Sequence, residues 1–328
     1  METAETHPEE ADGLPAGLAE HCRRVAKAFV NGEVVPFLGA GANLCGRSGS
    51  WKSPGDSLPS GRELAQYLAR EFDYPLPDSE NLVRVTQYQA TMEGPGPLYK
   101  RLREIFLGDY APTPLHDLLA RIPKRIEESF GRARNQLIVT TNYDDSMEQA
   151  FRSAGQAFDL FTYIAWGDDL GKFLHTPADG EAYVIPDARQ FADPILDERH
   201  VILKIHGAVD RSGVKHDSFV ITEDHYIDFL QRTAIEDLIP MSLLPALQQT
   251  HFLFLGYSLA DWNLRVMLQR IWQQQDHGWN SWAVQHETSA LDQKFWTKRG
   301  VDIVVVDLLA YVPALGAALE KLVAENAE

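Results

Sequence analysis

Asn142 and His206 are the two residues of this sequence whose types and positions best suit the activation of a water molecule. Asn142 follows the apolar run 137-LIVTT-141, and His206 closes the run 201-VILKI-205 directly before a glycine. A neutral imidazole can accept a proton near pH 7, and a carboxamide can hold the attacking water in position. Each residue alone also has a structural explanation, because an asparagine can cap a helix and a single histidine is often only packed or exposed.

A glycine-rich turn follows the apolar run 34-VVPFL-38 and has the composition of a nucleotide-binding loop. Gly39, Ala40 and Gly41 let the backbone approach a ligand, and the N–H groups that follow, including that of Asn43, can hold phosphate oxygens. The turn is not a complete G-x-G-x-x-G motif, since Leu44 occupies the place of the third glycine. A nucleotide site is therefore predicted, with a tight strand-to-helix turn as the alternative.

Four further polar or small residues close other apolar runs and are candidates for ligand contacts. Asp144 follows Asn142 closely, although it could equally cap the helix that begins near residue 145. Gly256 and Ser258 suit a phosphate or ribose at a helix start, with a simple N-cap as the alternative. Gln285 stands where a polar side chain could reach an adenosine ribose.

Residues 41–48 also come close to the phosphate-binding loop G-x-x-x-x-G-K-[ST] of nucleoside triphosphatases. Arg47 replaces the lysine of that motif, and the two side chains are not equivalent around a phosphate. Asp307 closes the run 303-IVVV-306 and could imitate a metal-binding strand. A nucleoside triphosphatase therefore stays open as an alternative.

The elements that must position these residues are short, nearly continuous apolar runs separated by helical segments. Such runs suit strands buried on both faces of a parallel sheet, and their alternation with helices indicates right-handed βαβ units. The sequence thus predicts an α/β fold with a doubly wound, mostly parallel, Rossmann-like sheet of about six strands. The strand runs are 34–43, 137–144, 201–207, 252–258, 281–287 and 301–307, and the clearest helices are 13–31, 60–72, 260–273 and 312–325.

The chain is predicted to form one domain over residues 13–328, preceded by a disordered acidic segment at residues 1–12. Two intervals are too long for simple crossovers. We expect residues 45–135 to form a helical insertion and residues 155–200 to form a loop or hairpin insertion over the carboxyl edge of the sheet. In such a sheet, ligands bind outside the carboxyl ends of the strands.

The composition excludes several classes of function. With 30 Lys+Arg against 47 Asp+Glu, the formal charge is -17, which argues against a surface devoted to nucleic acid. Two cysteines cannot supply the four thiolates of a structural zinc site, and no metal is expected. No apolar run approaches the roughly 20 residues that cross a bilayer. A cytoplasmic protein without membrane contact is the expectation.

Taken together, the motifs GAGAN, TTNYD, KIHG and GYSLADWN, in this order, resemble the sirtuin family. More specifically, they resemble its bacterial sirtuin-like NAD⁺-hydrolase branch in anti-phage defence. The resemblance spans about residues 34 to 307. Two departures matter. Protein-deacylating sirtuins carry four zinc-binding cysteines after the histidine, and residues 207–251 contain none, so the zinc module is absent. Asn43 stands where the family usually has serine.

The resemblance implies a role for each matching residue. Gly39, Ala40 and Gly41 would hold the NAD⁺ phosphates, and Asn142 would orient the water and the ribose. His206 would be the general base. Asp144 would support the nicotinamide pocket, and Ser258 would contact the phosphate or ribose.

The implied chemistry agrees with the residue types. Nicotinamide in NAD⁺ is cationic and leaves as a neutral molecule, so no general acid is required, in contrast to ordinary glycosidases. The resemblance therefore implies that NAD⁺ is hydrolysed to ADP-ribose and nicotinamide, depleting cellular NAD⁺. A protein deacylase that uses NAD⁺ as acyl acceptor and a non-catalytic sensor of NAD⁺ or ADP-ribose remain alternatives. By analogy, a homo-oligomer and a trigger protein are expected, the latter a HerA-type ATPase or an Argonaute-like protein.

Overall fold

The computed structural model describes residues 15, 17–53, 55–231, 239–259, 262–272 and 280–327. Within them, nine strands form one sheet, where the sequence predicted about six. All six apolar runs form strands, which confirms the α/β prediction. In chain order the strands are β1 (Val34–Leu38), β2 (Leu137–Thr140), β3 (Phe158–Tyr163), β4 (Phe173–Thr176), β5 (Tyr183–Ile185), β6 (His200–Lys204), β7 (His251–Leu255), β8 (Ser281–Gln285) and β9 (Val301–Val305).

The three strands that the sequence did not reveal, β3, β4 and β5, lie between residues 155 and 200. β3 runs parallel to β6, whereas β4 and β5 continue the sheet as an antiparallel edge. β4 and β5 are short, and β3, although six residues long, contains Asp159 and is only partly buried, so these strands lack the continuous apolar run of a central parallel strand. Most of this interval therefore extends one side of the sheet.

The order of strands across the sheet is β5-β4-β3-β6-β2-β1-β7-β8-β9. From β1 the chain first builds the side that contains β2, β6 and β3, and it then crosses to build β7, β8 and β9. The topological switch point therefore lies between β1 and β7, where Phe37 pairs with Phe254 in parallel register. In doubly wound sheets this is the position where ligands bind.

Twelve α-helices are described. Ser60 forms a capping box with Glu63 at the start of the second, and Gly32 ends the first with a φ of 75°. In chain order they are α1 (Leu18–Asn31), α2 (Gly61–Glu71), α3 (Leu82–Glu93), α4 (Pro95–Phe106), α5 (Pro114–Phe130), α6 (Ser146–Ser153), α7 (Ile195–Glu198), α8 (Glu223–Gln231), α9 (Leu244–Gln248), α10 (Trp262–Trp272), α11 (Ala290–Thr297) and α12 (Leu308–Ala327).

The central strands are buried on both faces because helices cover each face of the sheet. Along β1, Val34 and Leu38 contribute to one core, whereas Val35 and Phe37 contribute to the other. α1 packs on α12, α12 packs on α5, and α5 packs on α6, and these four helices cover the first face. Side chains of α8, α9, α10 and α11 form part of the second core. This arrangement explains why the apolar runs show no alternation.

Helices α2, α3 and α4 form a third, separate core beyond the carboxyl ends of the strands. Phe106 at the end of α4 packs edge-on against Tyr143 with ring centroids 5.3 Å apart, and Tyr143 packs in the same way against Phe219 at 5.2 Å. Helices α2, α3 and α4 therefore pack on the loops that follow β2 and β6. Its position decides the shape of the site.

The predicted disordered segment at residues 1–12 lies outside the described residues. Among the residues that are described, no helix is both long and apolar enough to cross a membrane.

Candidate active site

A cavity of about 510 Å³ opens at the carboxyl ends of the strands, at the switch point between β1 and β7. This volume falls within the range of small-molecule sites. Asn142 and His206 both line it, although they follow different strands and are 64 residues apart in the chain. The other predicted site residues on its wall are Gly39, Ala40, Gly41, Asn43, Asp144, Gly256 and Ser258.

Asn142 is held rigidly beside the glycine turn. Its backbone N–H donates to Thr140 Oγ1 at 3.0 Å, and its side-chain Nδ2 donates to the carbonyl oxygen of Gly39 at 3.1 Å. Because the amide nitrogen is used in this way, Oδ1 is the atom left to accept a hydrogen bond, and it has no partner among the described residues. Asn142 is buried. Its carboxamide is thus fixed as an acceptor on the cavity wall.

His206 is also buried, and aromatic rings hold its imidazole from the side. Tyr226 and Phe229 pack edge-on against it, with ring centroids at 5.5 and 5.7 Å. The following residue, Gly207, has a φ of 84°, and a Cβ there would overlap the backbone carbonyl of Ser218. Gly207 is therefore required by a neighbouring segment of the protein.

The glycines of the first turn serve loop packing in the same way. Gly39 N–H donates to the carbonyl of Leu255 at 3.1 Å, and Gly41 N–H donates to the carbonyl of Gly256 at 2.8 Å. A Cβ on Gly39 or Gly41 would lie 2.7 Å from Gly256 O. Gly256 has a φ of 64°, and a Cβ on it would overlap the Ala42 backbone. The two turns at the switch point therefore fit together only because glycine occupies all three positions.

Asn43 and Asp144 join the glycine turn to the loop after β2. Asn43 Nδ2 donates to Asp144 Oδ2 at 2.7 Å, and Asp144 Oδ1 accepts the N–H of Ser146 at 3.0 Å. Asp145 is the N-cap residue of α6, but the Asp144 carboxylate accepts the first N–H of the helix, close to the structural alternative that the sequence left open. Burial favours the neutral carboxyl, but the Lys204 ammonium and the Ser146 hydrogen bonds outweigh burial and hold the pKa of Asp144 below its usual value.

A buried ion pair that the sequence analysis missed lies directly beneath this loop. Lys204, the last residue of β6, donates to the backbone carbonyl of Asp144 and to Glu148 Oε1, the latter at 2.7 Å. Both side chains are almost completely buried, with 1% and 3% of their surface exposed. In the sequence, this ion pair was indicated by the lysine inside the apolar run 201-VILKI-205.

The segment that contains α2, α3 and α4 supplies a wall of the cavity that the sequence did not predict. Ser60, Gly61 and Arg62, at the start of α2, line it together with Phe106 from the end of α4. Arg62 pairs loosely with Glu80 at 3.4 Å, and both side chains are more than half exposed. A guanidinium therefore stands at the cavity wall of a strongly acidic protein.

Gln285 is the predicted site residue that does not line the cavity. Its Nε2 donates to the carbonyl oxygen of Tyr257 at 2.9 Å and to that of Val284 at 3.0 Å. The side chain thus ties the end of β8 to the turn after β7. Asp261, part of the GYSLADWN motif, lies outside the described residues.

The phosphate-binding-loop alternative is wrong. Such a loop leads directly into a helix, whereas the next helix after Arg47 starts at Gly61. Arg47 is bonded to Glu63 at 2.9 Å and to the carbonyl of Leu58 at 2.9 Å, so it anchors this segment to α2. Asp307 is exposed and caps α12 by accepting the N–H of Leu309 at 2.7 Å.

Within the part of the chain that the structure describes, no group of three or more His, Cys, Asp or Glu side chains is arranged to hold a metal ion.

Comparison with known proteins identifies the family of the chain. The SIR2-like domain matches residues 136–304. Defense-associated sirtuin 2 of Bacillus subtilis is 23% identical over 257 residues, which cover 78% of this chain and 21% of that protein. The NAD(+) hydrolase ThsA of Acinetobacter baumannii is 25% identical over 249 residues, which cover 76% of this chain and 41% of that protein. The chain thus matches less than half the length of either relative. Because the SIR2-like domain covers more than half of this chain, the protein belongs to the SIR2-like family.

Proposed function

We propose that the protein hydrolyses the bond between nicotinamide and ribose in NAD⁺, releasing nicotinamide and ADP-ribose. The observation that carries the proposal is that Asn142 and His206 line one cavity at the switch point of the sheet. Membership of the SIR2-like family and the similarity to a protein named as an NAD(+) hydrolase support it.

The residues of the cavity fit a dinucleotide. The volume is in the range for a ligand of this size, and Arg62 brings a positive charge that a diphosphate requires. Asn43 Oδ1 is buried and has no partner among the described residues, and a neighbouring substrate hydroxyl or amide could satisfy it. Asn142 Oδ1 offers a second acceptor. Both acceptors suit the hydroxyls of a ribose.

Each of the two central residues has a defined task in this proposal. His206 takes a proton from the attacking water, and Asn142 holds that water or the ribose by its Oδ1. Phe106 and Tyr226 line the same cavity and shield the reacting carbon from bulk water. The positive charge on the nicotinamide ring is neutralised as it departs, so the reaction needs no carboxylic acid to protonate the leaving group.

The biological part of the proposal is a role in anti-phage defence, in which NAD⁺ is depleted once the enzyme is activated. Its support is the similarity to a protein named as a defence-associated sirtuin. We infer a cytoplasmic enzyme with low activity until a homo-oligomer or a trigger protein, such as a HerA-type ATPase or an Argonaute-like protein, engages it. Uncontrolled hydrolysis of NAD⁺ would harm the cell, which is the reason for expecting such control.

Chromatography of nicotinamide tests the proposal. The purified protein is incubated with NAD⁺ at several protein concentrations, alone and with the product of a neighbouring gene, without any acylated peptide. Equal amounts of nicotinamide and ADP-ribose would support hydrolysis. Release only with an acyl-lysine peptide would identify a deacylase, and binding of NAD⁺ without release would identify a sensor. Either result would overturn the proposal.

A further inference from the structure

Lys204 occupies a position in the interior of the sheet where an apolar residue is expected. All five residues of β6 are buried, and the strand is flanked by β2 and β3 on its two sides. Lys204 pairs with Thr140 of β2 and Thr162 of β3, and its side chain has 1% of its surface exposed. Placing an ammonium here costs desolvation energy that an apolar side chain would avoid.

The ammonium group stands at the start of a chain of contacts that reaches the cavity. Lys204 donates to the backbone carbonyl of Asp144, and the carboxylate of Asp144 accepts bonds from Asn43 and from the Ser146 N–H. The neighbouring strand residue, Thr140, accepts the backbone N–H of Asn142 at 3.0 Å. The last residues of β2 and β6 therefore hold both ends of the loop that carries Asn142.

The ion pair with Glu148 completes this arrangement. Glu148 lies in the first turn of α6, directly after the loop, and its Oε1 accepts from Lys204 at 2.7 Å. Glu148 Oε2 has no partner among the described residues. A buried ion pair with an unsatisfied oxygen contributes little to stability, because well-packed apolar residues of the same volume are often as stable or more so. Its use must therefore lie in positioning.

We propose that Lys204 is a positioning residue, which fixes the loop 141–145 so that Asn142 and Asp144 meet the substrate in one geometry. This inference rests on the proposed function for its effect on activity. Lys204 acts through the Asp144 carbonyl and does not line the cavity itself. Glu148 anchors the ammonium from the side of α6.

The charges around Asp144 give the proposal an electrostatic signature. Lys204 and, more weakly, His116 lower the pKa of Asp144, and Asp144 in turn helps to raise the pKa of Tyr110. Glu148 belongs to the group through its pair with Lys204. Burial makes the pKa of His116 fall to about 4, so this imidazole is neutral at pH 7. Replacing Lys204 with an uncharged residue should therefore raise the pKa of the Asp144 carboxyl.

The test compares two variants with the wild type. Lys204→Met alone leaves Glu148 buried without its cation and risks unfolding. The double variant Lys204→Met with Glu148→Leu replaces the whole pair by apolar side chains of similar size and should fold. Lys172→Met is the matched control, because Lys172 forms a half-exposed pair with Asp169 away from the cavity.

Hydrogen exchange of the amides in residues 141–146 and the rate of NAD⁺ cleavage are measured for each protein. In the double variant we expect exchange in this segment to rise about tenfold and kcat to fall about a hundredfold, with a smaller change in KM. The control should match the wild type in exchange, kcat and KM. Unchanged exchange in 141–146, or faster exchange with unchanged kcat, would overturn the proposal. If the wild type fails to cleave NAD⁺, the proposed function falls, while the exchange data still decide whether Lys204 holds the loop.

Discussion

Asn43 and Asp144 are joined by a 2.7 Å hydrogen bond across 101 residues of sequence, and this bond fixes the orientation of the Asn43 amide. An ionised carboxylate can only accept, so the atom of Asn43 that faces it must be the amide nitrogen. The carbonyl oxygen of Asn43 is then left as an acceptor without a partner among the described residues. Asn43 is therefore suited to a substrate hydroxyl or amide and poorly suited to a phosphate oxygen.

Replacing Gly256 with alanine should destabilise the protein, because it prevents the close packing of the two turns at the switch point between β1 and β7. The new Cβ would overlap the Ala42 backbone, and alanine is strained at a φ of 64°. We expect the free energy of unfolding to fall by about 3 kcal/mol or more, because the strain and the clash add. Urea unfolding gives this value.

Gly316→Ala is the control for that change. Gly316 lies within α12, and the nearest atom to its added Cβ would be 3.9 Å away. Alanine there should stabilise the protein by about 0.5–1 kcal/mol, because it restricts the unfolded chain and favours the helix. A Gly256→Ala protein as stable as the wild type would contradict the close packing of the two turns.

Arg62 should contribute to substrate binding through its charge. Arg62→Gln removes the guanidinium from the cavity wall, and we expect KM for NAD⁺ to rise about tenfold with little change in kcat. Steady-state kinetics at low and high salt measures the effect, which should shrink as salt screens the charge. The matched variant Arg84→Gln removes an exposed arginine that does not line the cavity, and it should leave KM unchanged. Equal KM values for wild type and Arg62→Gln would refute this role.

The stability of the fold should decline as the pH falls below 6.5, in part because of His200. Burial lowers the pKa of this imidazole from 6.5 to about 4, and its Nδ1 accepts the backbone N–H of Gln136 at 3.0 Å. Because the folded-state pKa is depressed, the unfolded chain takes up a proton first. The contribution of His200 is complete above pH 6.5 and is lost as the pH falls towards 4.

The variant His200→Gln isolates that contribution. Between pH 6.5 and 4.5, the wild type should lose about 1–2 kcal/mol more stability than the variant does. His286→Gln, which changes an exposed histidine, should follow the wild type. Urea unfolding at a series of pH values measures the difference, and parallel curves for wild type and His200→Gln would show that His200 carries no such linkage.

The central strands were predictable because they are buried on both faces and therefore leave continuous apolar runs in the sequence. β4 and β5 were not, since short strands near the edge of a sheet carry no such run, and β3 was not, because Asp159 and Thr162 interrupt its apolar residues. The convergence of Asn142 and His206 followed from parallel topology alone, because the carboxyl ends of parallel strands meet at one edge.

Other features of the site depend on distant contacts that no local pattern reveals. Gly41 was interpreted as room for a ligand, but the backbone of Gly256 requires a glycine there, as the backbone of Ser218 does at position 207. Gln285 also stands at a strand end, yet its amide turns to the Tyr257 carbonyl and not to the cavity. Arg62 could not be placed at the cavity from sequence, since its position depends on how α2 packs over the sheet.

The most direct test of the central claim is the rate of nicotinamide release by Asn142→Ala and His206→Ala, compared with the wild type under the same activating conditions. Each variant should lower kcat about a hundredfold or more while NAD⁺ still binds, because one group holds and the other deprotonates the water. Titration calorimetry measures the binding, and Lys172→Met serves as the surface control. If both variants release nicotinamide at the wild-type rate, Asn142 and His206 do not form the active site.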